Sequence, residues 1–279
     1  MQQEEGTVIL PTTEIDQILE RLIRSSRDPV AEGEASGVAF EEAIARTFRF
    51  MGFESERIGG SGDTDVTVRW QDDDGTNIIA IVDGKSKSGG QVSHGDISDV
   101  AIDTHKEKNS ADFVAIVGPG FSGETIRNHA KKKSYALITV DQLCAIARAS
   151  ESVGLRLQEI GLAFRTPNGL SQLDELIASK QRELEIASTV ILRLNQEQEI
   201  LDGLSPRDLF FMLRGTSVSP SLEELLSVVE VLSKTEIGVL RTTGEKRDPA
   251  NTTYVLSNAK RAANRLRSLA ATINEALYD

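Results

Sequence analysis

Residues 65–85 read DVTVRWQDDDGTNIIAIVDGK, and the fold is decided there. Val, Ile, Thr and Trp alternate with polar residues on either side of the acidic, glycine-containing segment QDDDGT. Two antiparallel strands joined by a turn are therefore expected. With Trp70 set opposite Asn77, Asp65 falls opposite Val82 or Asp83. Lys85, two residues beyond Asp83, shares its face. Such a hairpin gathers two carboxylates and an amine at one end of a sheet.

Carboxylate oxygens are the ligands Mg²⁺ prefers, and a bound Mg²⁺ stabilises charge on a phosphate and lowers the pKa of a water nucleophile. The lysine would orient that water or help to deprotonate it. The plain alternative is that Asp65 caps a strand while Asp83 and Lys85 form a solvated surface pair, which is what a lone D-x-K usually is. The second aspartate across the hairpin shifts the reading toward chemistry.

Working outward, residues 38–51 form a helix ending at Gly52, with Phe40, Ala43, Ile44, Phe48 and Met51 on its apolar face. Glu41 and Glu42 flank that face, and one of the two is placed to reach the hairpin; first-turn acids favoured by the helix dipole are the ordinary reading of both. A short amphipathic helix precedes it at 12–25 with Ile15, Ile18, Leu19, Leu22 and Ile23, and the loop SRDPVAEGEASG separates the two. After the hairpin, the glycine-rich loop KSKSGGQVSHG leads to a helix in DISDVAIDTHKEKN. Then strand ADFVAIV, helix GETIRNHAKKK, strand YALITV and helix DQLCAIARAS make a βαβ pattern. The fold class is α/β, a mixed sheet flanked by helices.

Residues 171–201 read as one long helix with a seam of Leu173, Ile177, Leu184, Ala187, Ile191, Leu194 and Leu201. It serves either as a linker packed on its own domains or as a dimerisation coiled coil. Beyond it come helices at SPRDLFFMLRG and SPSLEELLSVVEVLSK, a hairpin from IGVLRTTG to NTTYVLS, and a last helix from Asn258. The expected organisation is a helical segment at 1–35, a catalytic domain at 36–150, linker and long helix at 151–203, and an α+β domain at 204–279.

Composition narrows the function classes. The 279 residues carry a formal net charge of -12, which argues against a uniformly basic nucleic-acid surface but leaves room for local basic faces. Three histidines without paired spacing argue against zinc. The single Cys144, in the apolar stretch DQLCAIA, excludes an internal disulfide framework and reads as a buried structural thiol. No apolar run approaches a membrane span and the N-terminus lacks a signal-peptide pattern, so a cytoplasmic location is expected. A run G-x-G-x-x-G at Gly118, Gly120 and Gly123, with Asp141 further on, imitates a dinucleotide fingerprint. Pro119 inside the turn and the lack of further βαβ units weigh against that use.

Together GVAFEEAIARTFRFMGF, GGSGDTDVTV, IVDGKSKSGG and VGPGFSGETIRNHAKKKSYALITVDQL make residues 34–148 resemble the PD-(D/E)xK nuclease superfamily, most closely the cleavage domain of FokI-type restriction endonucleases. Thr64 stands where a proline often precedes the first aspartate. The resemblance implies a restriction-endonuclease-like fold and hydrolysis of DNA phosphodiesters with Mg²⁺, for which Mn²⁺ may substitute. Asp65 and Asp83 would bind metal with the Gly84 carbonyl, Lys85 would act on the water, and Glu41 would be the helix acid. Cutting both strands would need a homodimer.

The C-terminal helices and hairpin resemble a winged-helix module that meets DNA or an accessory protein. Lys246 and Arg247 in its wing loop, Lys260 and Arg261 beyond it, and Lys87 near the catalytic hairpin are the candidate phosphate contacts. A nuclease followed by a winged helix is also similar to transposon end-cleaving proteins of the TnsA type. A non-catalytic DNA-binding scaffold is the remaining alternative.

Overall fold

The computed structural model describes residues 13–60, 63–244 and 248–278, with backbone alone at 59, 60, 63–65, 274, 277 and 278. The chain divides into two compact units, Met1–Ile177 and Ala178–Asp279.

The first unit is built on a five-stranded sheet in the order β1-β2-β3-β4-β5, comprising β1 (Glu54–Gly60), β2 (Asp63–Gln71), β3 (Asn77–Gly84), β4 (Phe113–Gly118) and β5 (Tyr135–Thr139). The first three strands run antiparallel to one another and β3, β4 and β5 run parallel. Strands of a parallel segment are covered on both faces and read as unbroken apolar runs, as IIAIV, FVAIV and YALIT do.

On one face, Val66, Val68, Ala80, Val82, Ala115, Val117, Ala136 and Ile138 join the core formed with α1 (Glu14–Arg27) and α2 (Val38–Phe50). Phe40, Ile44 and Phe48 of α2 are no more than 1% exposed, each contributing about 1.5–3 kcal/mol by burial. On the other face, Val114, Ile116 and Tyr135 pack with Ile102 of α3 (Asp99–Lys108) and with Ile126 and Ala130 of α4 (Gly123–Lys133). Then α5 (Val140–Ser152), the short α6 (Leu157–Ile160) and a 3-10 turn at Gly161–Phe164 lead into α7 (Gly169–Glu197).

The hairpin forms, one residue away from the Trp70–Asn77 alignment. Trp70 pairs with Ile78 and Gln71 with Asn77, and this sets Asp65 opposite Asp83. The turn explains the offset, because Asp72 N–H donates to the Thr76 carbonyl at 2.8 Å and closes the loop at 72–76. Strand β1 was not expected. ESERIGG has no apolar face, and what holds it is the edge ladder to β2 together with the Ser55 hydroxyl, which donates to the Thr67 carbonyl at 3.0 Å.

The second unit holds the rest of α7, then α8 (Pro206–Leu213), α9 (Leu222–Ser233), a two-stranded antiparallel sheet of β6 (Leu240–Thr243) and β7 (Thr253–Leu256), and α10 (Ala259–Tyr278). Its core gathers Ile186, Val190 and Leu194 of α7 with Leu209, Leu213, Leu225, Val229 and Leu240. The packed face of α7 in this unit adds Ile186 and Val190 to Ala187, Ile191 and Leu194 of the expected seam, while Leu184 of that seam is 52% exposed. Ser205 and Ser221 cap α8 and α9 through capping boxes with Asp208 and Glu224. Among the described residues no helix is long and apolar enough to cross a membrane.

Candidate active site

Strand alternation decides where the acids go. Val82 and Ala80 face α2, so Asp83 faces the α3 side with Ile81. There the Asp83 side chain is 2% exposed. Lys85 Nζ lies 2.8 Å from Asp83 Oδ1, while Oδ2 is buried with no hydrogen-bond partner among the described residues. Burial pushes the Asp83 carboxyl above the usual carboxylate range, and the Lys85 ammonium and then His105 pull against that rise without cancelling it. A buried carboxylate left half satisfied is costly. A hard cation accepting Oδ2 as a ligand would satisfy it, so the donor chemistry of this site fits Mg²⁺ or Mn²⁺.

The register brings Asp65 to the position directly opposite Asp83, and directly opposed residues of an antiparallel pair share a face. The Asp65 side chain lies outside the described residues. Among the described residues no three His, Cys, Asp or Glu side chains form a cluster able to hold a metal.

Glu41 arrives from the other side. It is 1% exposed on α2, and Gly84 is the reason it can come so close. A Cβ at Gly84 would lie 2.9 Å from Ile44 Cδ1 and 3.4 Å from Glu41 Cγ. Glycine between Asp83 and Lys85 thus lets α2 lie against the end of β3. Arg57 Nη1 stands 3.8 Å from Glu41 Oε2, a contact that depended on the unexpected strand β1. Glu42 instead pairs with Arg49 at the surface.

Lys87 sits in the loop beyond the site, with Nζ 2.6 Å from Asp96 Oδ1 and its N–H donating to the Ser26 carbonyl at 2.8 Å. The loop is thereby tied to the last turn of α1. Lys260 and Arg261 are exposed on α10 in the second unit, whereas Lys246 and Arg247 lie outside the described residues. Arg265 has a structural use: its Nη2 donates to the carbonyls of Glu236 at 2.8 Å and Ile237 at 2.9 Å, just past α9.

Two residues near the site had little or no sequence signal. Arg57 had none without β1. His105 is 7% exposed and shares the inner face of α3 with Ile102, three residues earlier, so helical spacing alone would have found it.

Two glycines of the dinucleotide-like run, Gly118 and Gly120, have another use. A Cβ at Gly118 would meet Val92 Cγ2 at 2.8 Å, and one at Gly120 would meet Gln91 Nε2 at 2.7 Å and the Gly90 carbonyl at 2.9 Å. The loop after Lys85 fills the space a pyrophosphate would need. Cys144 is half-buried, and burial pushes its thiol up to about 11, the state of an unreactive thiol at neutral pH.

Residues 33–147 match the Mrr_cat family model, described as restriction endonuclease. The matched span opens just before α2 and closes within α5, so it contains the hairpin, the whole sheet and the Asp83–Lys85 pair. No curated protein matches the chain.

Proposed function

We propose that this chain is a divalent-metal-dependent DNA endonuclease of the restriction type. One observation carries the reading. Asp83 is buried with one oxygen unpartnered among the described residues, Lys85 is 2.8 Å from the other, and Asp65 is set opposite across the hairpin, inside the span that matches a restriction endonuclease family. Mg²⁺, bound by Asp83, Asp65 and the Gly84 carbonyl, would supply Lewis-acid stabilisation of the scissile phosphate and a more acidic water.

The side chains do the rest. Asp83, held rigid by burial, would be the fixed ligand for the metal. Lys85, 24% exposed, reaches from that carboxylate toward solvent, where it orients the attacking water and takes part in its deprotonation. Glu41, buried beneath Gly84, braces the end of β3 and adds negative potential behind it. The second unit, with its helices, two-stranded wing and exposed Lys260 and Arg261, is winged-helix-like and serves DNA or partner binding. One site cuts one strand, so a double-strand break calls for two chains. The FokI-type likeness of GGSGDTDVTV and IVDGKSKSGG supports the same assignment of Asp65, Asp83 and Lys85.

The test is incubation of the full chain with supercoiled, linear, single-stranded and methylated DNA in Mg²⁺ or Mn²⁺. Cleavage is expected, abolished by EDTA and by Asp83→Ala, and slowed about 10²–10⁴-fold by Lys85→Ala, the range for losing a general acid or base. Absence of cutting on every substrate, or full activity in Asp83→Ala, overturns the reading.

A further inference from the structure

A cleft of about 260 Å³ opens in the first unit at the free edge of the sheet, between α4, β5 and residues 163–170. Its floor is apolar: Ala130, Tyr135, Ala136 and Ala163 are each no more than 4% exposed. Its rim is cationic. Arg127 and Lys131, one turn apart on α4, both line the cleft and are exposed. No carboxylate lies within ion-pairing distance of either among the described residues, and no Asp or Glu lines the cleft. Arg165 on the opposite wall is held by Asp72 at 2.7 Å.

The third feature is the strand itself. β5 pairs with β4 on one side only, and no backbone hydrogen bond joins residues 135–139 to the 163–170 segment among the described residues. A free strand edge presents N–H donors and C=O acceptors side by side. We propose that this cleft binds a free nucleoside monophosphate. The base lies on the apolar floor with its polar edge against the β5 backbone, and the phosphate meets Arg127 and Lys131. An inorganic anion would leave the floor unused, and a purely apolar ligand would leave the cations and the strand edge unused. The volume, below that of a drug-sized pocket, suits a single nucleotide. The β3–β4–β5 order puts the cleft two strands, roughly 10 Å, from Asp83 across the sheet. Binding is therefore separate from the metal site and does not rest on the nuclease reading.

Titration calorimetry of the full chain in EDTA, with the common nucleoside monophosphates, the matching nucleosides and inorganic phosphate, tests this. At least one monophosphate is expected to bind tenfold or more tighter than its nucleoside and than phosphate. Arg127→Glu/Lys131→Glu should weaken it at least tenfold, Lys131→Gln severalfold, and Asp83→Ala not at all. Both rim residues are exposed, so these variants retain the fold, and circular dichroism checks it. Four results overturn the proposal: no monophosphate binding up to about 1 mM; binding indifferent to the rim variants; binding lost in Asp83→Ala; or rim-dependent binding of single-stranded oligonucleotides without binding of mononucleotides.

Discussion

Asp83→Asn should make the metal-free protein more stable while abolishing cleavage. In the wild type the Asp83 carboxylate is 2% exposed, with Oδ1 on Lys85 and Oδ2 on nothing among the described residues. A buried polar group left unsatisfied costs on the order of 1–3 kcal/mol, and a charged one at least that. The amide removes the charge and keeps the shape, and Lys85, 24% exposed, regains water. The expected gain in EDTA at pH 7 is about 1–3 kcal/mol, and each kcal/mol moves Tm by about 2–4 °C in a unit of this size.

The sign with pH follows from the raised folded pKa. The folded state holds the Asp83 proton to higher pH than the unfolded chain, so stability falls as pH rises from the unfolded value toward the folded one. The variant's advantage is full above the folded pKa and fades on acidification toward about 3.9, the unfolded value. Metal reverses the comparison. Saturating Mg²⁺ at about 100 times its Kd adds about 2.7 kcal/mol to the wild type and little to Asp83→Asn. Thermal unfolding in EDTA and in Mg²⁺, from pH 4 to 8, reads all three effects. A variant less stable than wild type in EDTA, or equally stabilised by Mg²⁺, refutes the claim that Asp83 is a strained ligand.

Gly84→Ala puts a methyl 2.9 Å from Ile44 Cδ1 in a fully buried contact; overpacking of that kind costs about 1–3 kcal/mol, visible as a lower Tm together with reduced cleavage as α2 is pushed from β3. Asp96, held down to about 2 chiefly by Lys87 and then by Ser93, has a folded pKa below its unfolded one. Its contribution is present above about pH 4 and lost as pH falls toward 2, so the urea midpoint gap between wild type and Asp96→Asn should shrink across that window. Arg265→Ala removes the donor to two carbonyls past α9 and should lower second-unit stability by about 0.5–1.5 kcal/mol, whereas Lys260→Ala and Arg261→Ala, both exposed, should leave melting unchanged and weaken DNA retention in a filter-binding assay.

Legibility followed the strength of each local signal. The parallel strands β3, β4 and β5 were plain because burial on both faces writes them as unbroken apolar runs, and α1, α2 and α4 because their apolar residues recur at helical spacing. The edge strand β1 was invisible, since ESERIGG buries almost nothing and is held by backbone bonds to β2. The Trp70 alignment slipped by one residue because alternation constrains faces more tightly than turn closure, which rests here on Asp72 N–H and the Thr76 carbonyl. For the site, D-x-K and the opposed aspartate were readable from spacing, while Arg57 beside Glu41 was hidden with its strand.

The burial of Asp83 could not be read from the residue types, and burial separates a surface pair from a reactive one. The same three letters, Asp83, Gly84 and Lys85, describe an inert exposed pair or a half-satisfied carboxylate under a helix. Gly84 separates two effects. Because it has no Cβ, Ile44 and Glu41 close over the end of β3 on the α2 face, whereas the Asp83 side chain is buried on the opposite, α3 face, and burial there raises its pKa. A side chain at 84 would press on α2 and leave the cover over Asp83 in place. NMR titration of Asp83 in Gly84→Ala should therefore find its carboxyl still above the ordinary carboxylate range. A carboxyl shifted down to that range in a folded Gly84→Ala protein would show that closure by α2, and not burial on the α3 face, desolvates the site.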